Sequence, residues 1–191
     1  MAQQKKYEFV PGDEKVIAPG RTVKRIRALI AIAAFGVAPG ELGGYIESES
    51  NLQVSGNAQV SGNAWVYGNA QVYGNAQVSG DAQVSGDARV YGSAQVSGNA
   101  WVYGNAQVSG SAWVYGDVLV SGNARVSGDV LVYGDAWVSG SARVSGSAWV
   151  YDDARVSDDA LVSGSARVYG NAWVYGNAQV SGNARVSGGA R

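Results

Sequence analysis

A chain of 191 residues is long enough for one domain with a small appendage. Its formal net charge of −1, from 14 basic and 15 acidic side chains, gives no bulk electrostatic drive towards nucleic acid. It contains no Cys, which excludes a disulfide framework and a thiolate-held metal, and no His, which removes the usual general base near neutral pH.

Residues 1–40 differ in kind from the rest. They carry Lys5, Lys6, Lys15, Arg21, Lys24, Arg25 and Arg27 against Glu8, Asp13 and Glu14, a balance of +4, whereas residues 41–191 balance to −5. All three prolines and both phenylalanines lie here. KYEFV, EKVIAPGRTVKRIRAL and AFGVAPGE read as short strands with Pro-Gly turns. Residues 1–44 are therefore expected to form a β-hairpin cap over residues 45–191. The basic stretch Lys24–Arg27 is read as a solvated strand face, with phosphate binding as the alternative. The apolar run Ala28–Val37 is broken by Gly36 and is too short to span a bilayer, and no signal peptide is evident. The expectation is a cytoplasmic protein with no membrane partner; secretion by a signal-less route is the alternative.

From Asn51 to Gly188 the chain runs through 23 six-residue units without an insertion or deletion. The unit is [N/D/S]-A-x-V-[S/Y]-G. Its fourth position is always Val; its second is Ala except at Leu52, Val118 and Val130; its sixth is Gly except at Asp152 and Asp158. Ala and Val two apart share one face of a strand, and the third and fifth positions share the other. Gly followed by Asn, Asp or Ser is corner chemistry, because these residues best tolerate φ > 0. Each unit is thus a strand of about four residues and a corner. Three units close an 18-residue coil, and the whole repeat makes a prism about 37 Å long at the usual strand spacing.

This pattern, with an aliphatic residue followed four later by a small one (Val54 and Ala58, then onward), resembles the hexapeptide-repeat, left-handed parallel β-helix family. The resemblance implies an all-β triangular solenoid and supplies its left hand, since an ordinary parallel crossover is right-handed. The combination RIRAL, APGELGGYIE and WVYG/ARVSG units also resembles poorly characterised phage- and prophage-type hexapeptide-repeat proteins, which implies a phage or bacterial origin. The family's enzymes use His as a general base or as a zinc ligand. With no His in this chain, no catalytic residue, metal centre or cofactor is expected.

Asp117, Asp135 and Asp153 recur once per coil and stack at one corner, with Asp81 two coils earlier. Turn geometry accounts for them; a calcium ion or Arg155 would otherwise relieve their repulsion.

Laid out at three units per coil, the variable positions separate into three outer faces. One, beginning at Gln53 and Gln71, is polar. A second carries Trp113, Tyr115, Leu131, Tyr133, Trp149, Tyr151 and Tyr169. The third carries Trp65, Trp101, Trp137 and Trp173, one in every second coil. Such an asymmetric aromatic surface marks either ladders that stiffen the rod or an interface. The expectation is a non-enzymatic structural or interaction rod acting through these aromatic residues. It would form a homo-oligomer, as a side-by-side trimer (the family's habit) or as a dimer through its C-terminal coils, where Arg185 and Arg191 are the nearby charges. Alternatives are a protein that sequesters a small ligand such as a nucleotide signal, or that blocks a host protein, and a degenerate acyltransferase.

Overall fold

Val and Ala spaced two apart decide the architecture. In the computed structural model, which describes residues 5–188, every second- and fourth-position side chain from Ala58 to Val174 is buried, nearly all completely. The large third-position side chains point the other way. Each buried Val contributes about 1.5–3 kcal/mol, so a core only two residue types wide still sums to a stable rod.

The strands pair in parallel one coil apart, as in Gln95 with Trp113 and Val96 with Val114. Hydrogen bonding continues between coils through the corners: the Gln95 amide donates to the Ala112 carbonyl at 2.8 Å and the Ser93 amide to the Gly110 carbonyl at 2.8 Å. Most strands are two residues long rather than the four expected, because the backbone bends at each corner; Trp113–Gly116 and Leu131–Gly134 reach four. At a typical corner Gly146 has φ of 74°, and a Cβ there would lie 2.8 Å from the Gly164 carbonyl oxygen of the next coil. Asp152 and Asp158 take the same backbone form at φ of 56° and 58°. Their carboxylates accept from the amides of Gly170 and Gly176 one coil on, at 3.3 and 3.0 Å.

Three sheets form the sides of this all-β parallel solenoid. The Trp face runs through Trp65, Gln83, Trp101, Leu119, Trp137, Arg155 and Trp173. The Tyr face runs from Gln59 to Arg185 and includes Trp113, Leu131, Trp149 and Arg167. The Arg face runs from Gln71 to Gln179 and includes Arg89, Arg125 and Arg143.

The cap is built from β1 (Tyr7–Ala18), β2 (Arg21–Ala28) and β3 (Leu42–Ile46). These are antiparallel to one another, and β3 then pairs in parallel with Trp65–Val66. The cap therefore extends the Trp face as one ten-stranded sheet, and residue 44 lies inside the strand that joins the two parts. Two expectations are corrected. Pro11–Gly12 is not a turn: it sits inside β1, where the register jumps between Phe9 and Glu14 as a bulge absorbs the proline. Ala33–Phe35 is a turn of 3₁₀ helix rather than a strand, closed by an antiparallel bridge from Ile32 to Val37.

The first repeat unit is also irregular. Leu52, not Val54, bridges to Val72 and fills the core, so the unit is shifted by two residues where the cap meets the rod. Asn51 explains the shift. It is completely buried, its Nδ2 donates to the carbonyls of Gly68 and Ala70 at 2.9 Å each, and its Oδ1 accepts from the Ser48 amide at 2.8 Å. These bonds fix Asn51 in the space between the cap and the first full coil. The expected contact between C-terminal coils involves Arg191, which with Gly189 and Ala190 lies outside the described residues. No helix among the described residues is long and apolar enough to cross a membrane.

Candidate functional site

The variable third and fifth positions make the outer surface, and the coil repeat stacks them into rows. On the Tyr face the fifth position is Tyr in four successive coils. Tyr115, Tyr133, Tyr151 and Tyr169 stack ring on ring, with centroids 5.2, 4.9 and 5.1 Å apart and planes within 5° of parallel. This spacing is simply the coil repeat, so the backbone imposes the stack. Burial between its neighbours pushes the Tyr133 hydroxyl pKa above its usual value. Beside this ladder stand Trp113, which is exposed, and Trp149, which is half-buried with the Arg167 guanidinium 4.5 Å above its ring.

On the Trp face the rings come every second coil. Trp101, Trp137 and Trp173 are each 44–50% exposed, as is Trp113 on the Tyr face, whereas Trp65 is partly covered by the cap. The residues between the rings are Gln83, Leu119 and Arg155. Arg155 lies between two rings, its guanidinium carbon 4.6 Å from the Trp137 centroid and 5.1 Å from that of Trp173. At the other end Lys15 of β1 reaches to 5.5 Å from the Trp65 ring, and Arg21 of β2 to 5.5 Å from that of Tyr67. Open grooves lie between the rings: one of about 390 Å³ bounded by Tyr67, Gln83, Ser85, Trp101, Tyr103 and Leu119, and one of about 220 Å³ bounded by Trp137, Arg155 and Trp173 with Ser139, Ser157 and Tyr175.

All ten aromatic residues singled out in the sequence thus lie on two adjacent faces, with none on the Arg face. The Arg face does hold one aromatic pair that the sequence reading passed over. Tyr73 and Tyr91 stack at 4.9 Å, and the fifth position that they share in successive coils was the signal.

The aspartates are as unevenly placed as the aromatics. The corner between the Tyr and Trp faces holds Asp81, Asp117, Asp135, Asp152 and Asp153, and the corner between the Trp and Arg faces holds Asp87, Asp158 and Asp159. Only Asp129 of the solenoid aspartates lies at the third corner. Asp117 accepts from the side-chain Nδ2 of Asn99 at 2.8 Å and Asp81 from that of Asn63 at 3.2 Å. Arg155 turns towards the tryptophans rather than towards this stack. Among the described residues, no group of three or more His, Cys, Asp or Glu side chains converges as a metal site, and all the ion pairs lie in the cap or its junction.

The basic segment of the cap is engaged internally. Arg27 pairs with Glu8, the Arg25 guanidinium lies 4.9 Å from the Tyr45 ring centroid, and Lys24 lies 5.7 Å from that of Phe9. Arg21 forms a two-point pair with Glu47, whose carboxylate also takes the Gly68 amide at 2.6 Å. The Arg21 bond is the main cause that holds the Glu47 carboxyl below its usual pKa.

No curated protein matches the chain. Among solved structures it is similar to the acetyltransferase domain of PglB from Neisseria gonorrhoeae FA1090, in complex with acetyl coenzyme A, at 18% identity and a TM-score of 0.44. That match covers 60% of this chain and spans about half (52%) of the other. The YdcK beta-solenoid repeat model matches at residues 52–68, 58–74, 82–98, 94–110, 100–116, 124–140, 154–168, 166–179 and 178–191. These matches cover more than half of the sequence and follow the same units that build the three faces, and the chain belongs to the YdcK beta-solenoid repeat family, a left-handed β-helix of the hexapeptide-repeat kind.

Proposed function

We propose that the protein is a non-enzymatic interaction rod that associates side by side with a second copy of itself through the Tyr face. The observation that carries this reading is the stacked Tyr115–Tyr133–Tyr151–Tyr169 stripe beside exposed Trp113. The stripe is already ordered by the coil repeat, so little side-chain entropy is lost when it is covered. Two copies share the same pitch, so a contact formed at one coil recurs at the next. Rings at the centre of such a surface are the usual energetic anchors of an interface. The absence of any His supports a role without acid–base chemistry.

Sedimentation equilibrium tests this. The native protein is expected to exceed the monomer mass, closing as a dimer or a trimer. Trp113→Gln, Tyr133→Gln and Trp149→Gln together lower that mass with the far-ultraviolet strand signal retained. Gln71→Ser, Gln107→Ser and Arg125→Ser on the Arg face leave it unchanged. Equal behaviour of the two triple variants contradicts the reading.

A further inference from the structure

We infer that the Trp face is a docking surface for an arginine-bearing protein segment in polyproline II form, whose guanidinium groups seat between tryptophans two coils apart. The inference rests on the reading of the protein as an interaction rod, but it concerns a different face and a different occupant.

The chain supplies its own example of the seat. Arg155 is flanked by Trp137 and Trp173 at 4.6 and 5.1 Å, so two rings one coil above and one coil below accommodate one planar cation. Where the cap brings cations to this face, they too lie near rings, Lys15 by Trp65 and Arg21 by Tyr67. Among the described residues, no cation lies over Trp101 in the middle of the ladder, where uncharged side chains take the register that Arg155 takes further along. Between Trp65 and Trp101 the intervening residue is Gln83, and between Trp101 and Trp137 it is Leu119. Trp101 is the most exposed of the six rings, and the groove of about 390 Å³ opens beside it between Tyr67 and Tyr103.

Charge selects the occupant. Eight of the nine solenoid aspartates flank this one face, at its two corners, and among the described residues none of them is in an ion pair. Among the described residues, the only solenoid cation on the face is Arg155, already seated. An aromatic row with carboxylates at its corners, Asp81 and Asp87 on either side of Gln83 and Asp117 before Leu119, attracts a cation that is also flat. Guanidinium meets both requirements; ammonium is a compact, strongly hydrated point charge and meets only the first.

Spacing selects the conformation. The seats at Gln83 and Leu119 are two coils apart, about 9.6 Å. A polyproline II segment has three residues per turn and places residues i and i+3 on one side about 9.3 Å apart. Arg-x-x-Arg in that form matches two seats. A third arginine would meet Arg155, which ends the row.

The test is fluorescence anisotropy with labelled dodecapeptides: four Arg-Pro-Pro repeats, four Lys-Pro-Pro repeats, and a peptide of the first composition with its arginines contiguous. The Arg-Pro-Pro peptide is expected to bind at least tenfold more tightly than the Lys peptide and about fivefold more tightly than the contiguous one. Trp101→Gln with Trp137→Gln, checked for retained strand signal, lowers its affinity at least tenfold. Gln71→Ser with Gln107→Ser leaves it within twofold. Arg155→Gln frees the third seat and tightens binding about threefold. Equal binding of the Arg and Lys peptides, or indifference to the Trp101/Trp137 change, overturns the inference in favour of unspecific charge attraction. Absence of peptide binding from a protein that still self-associates through the Tyr face overturns this inference alone. Absence of both overturns the interaction-rod reading as well.

Discussion

The Lys6 ammonium donates to the Ala58 carbonyl at 2.7 Å, 52 residues away, and fastens the start of β1 to the first full coil of the rod. Lys6 is almost wholly buried, and desolvation lowers its pKa from 10.5 to about 8. Its neighbour Tyr7 donates to the carbonyls of Glu49 and Leu52 at 3.2 and 3.1 Å, and burial, with a smaller effect of the Glu49 charge, raises its pKa to about 12. The two groups give the cap an alkaline optimum. Below about pH 8 Lys6 is charged in both the folded and unfolded chain. Between about 8 and 10.5 the unfolded chain binds the extra proton, so stability rises with pH. Above about 10 the unfolded chain loses the Tyr7 proton first, so stability falls as pH approaches 12. Melting followed by circular dichroism should therefore peak near pH 10. Lys6→Met should flatten the rise while leaving the fall, and an unchanged profile would separate Lys6 from the cap's docking.

Val150 and Trp149 are adjacent in sequence and opposite in environment. Val150 is completely buried, whereas Trp149 is half-buried on the outer face with Arg167 over its ring. Val150→Asp puts an unpaired charge in a dry core and should abolish the cooperative melt. Trp149→Gln loses one cation–π contact and should cost only about 0.5–1 kcal/mol in urea unfolding. Comparable losses would mean that the faces are inverted.

The Tyr ladder should respond by position. Tyr133 stacks on both sides, against Tyr115 and Tyr151, and Tyr115 has one stacked neighbour. At about 0.5–1.5 kcal/mol per aromatic pair, Tyr133→Ser should destabilise the rod by roughly twice as much as Tyr115→Ser. Equal midpoints for the two variants in urea would show that the stacks contribute nothing beyond their burial.

The rod is legible in the repeat alone, because Val and Ala two apart leave a strand only one way to face and the invariant six-residue period leaves the coil only one register. The cap was harder. Pro11–Gly12 reads as a turn, yet the long antiparallel partner β2 carries β1 through it with a bulge. Leu52 occupies an Ala position in the sequence, and its two-residue shift arises from the hydrogen bonds of Asn51, a tertiary effect. The outer rows were legible as rows, since a whole number of coils separates Trp65, Trp101, Trp137 and Trp173 and so gives them one face. That Arg155 enters the gap between two of those rings, away from the Asp135–Asp153 corner, depends on side-chain direction, which spacing does not encode. The burial of Lys6 follows from a contact over 52 residues and had no local signature.

Acrylamide quenching of tryptophan fluorescence tests the central claim, that the Tyr face is covered by a second copy, most directly. In a variant that keeps Trp113 and Trp149 and has Phe at Trp65, Trp101, Trp137 and Trp173, quenching should fall severalfold as protein concentration rises and the face is covered. In the converse variant, which keeps the four Trp-face rings and has Phe at Trp113 and Trp149, quenching should stay constant in the absence of an arginine-bearing peptide. Quenching of Trp113 and Trp149 that stays constant up to millimolar protein would contradict the account.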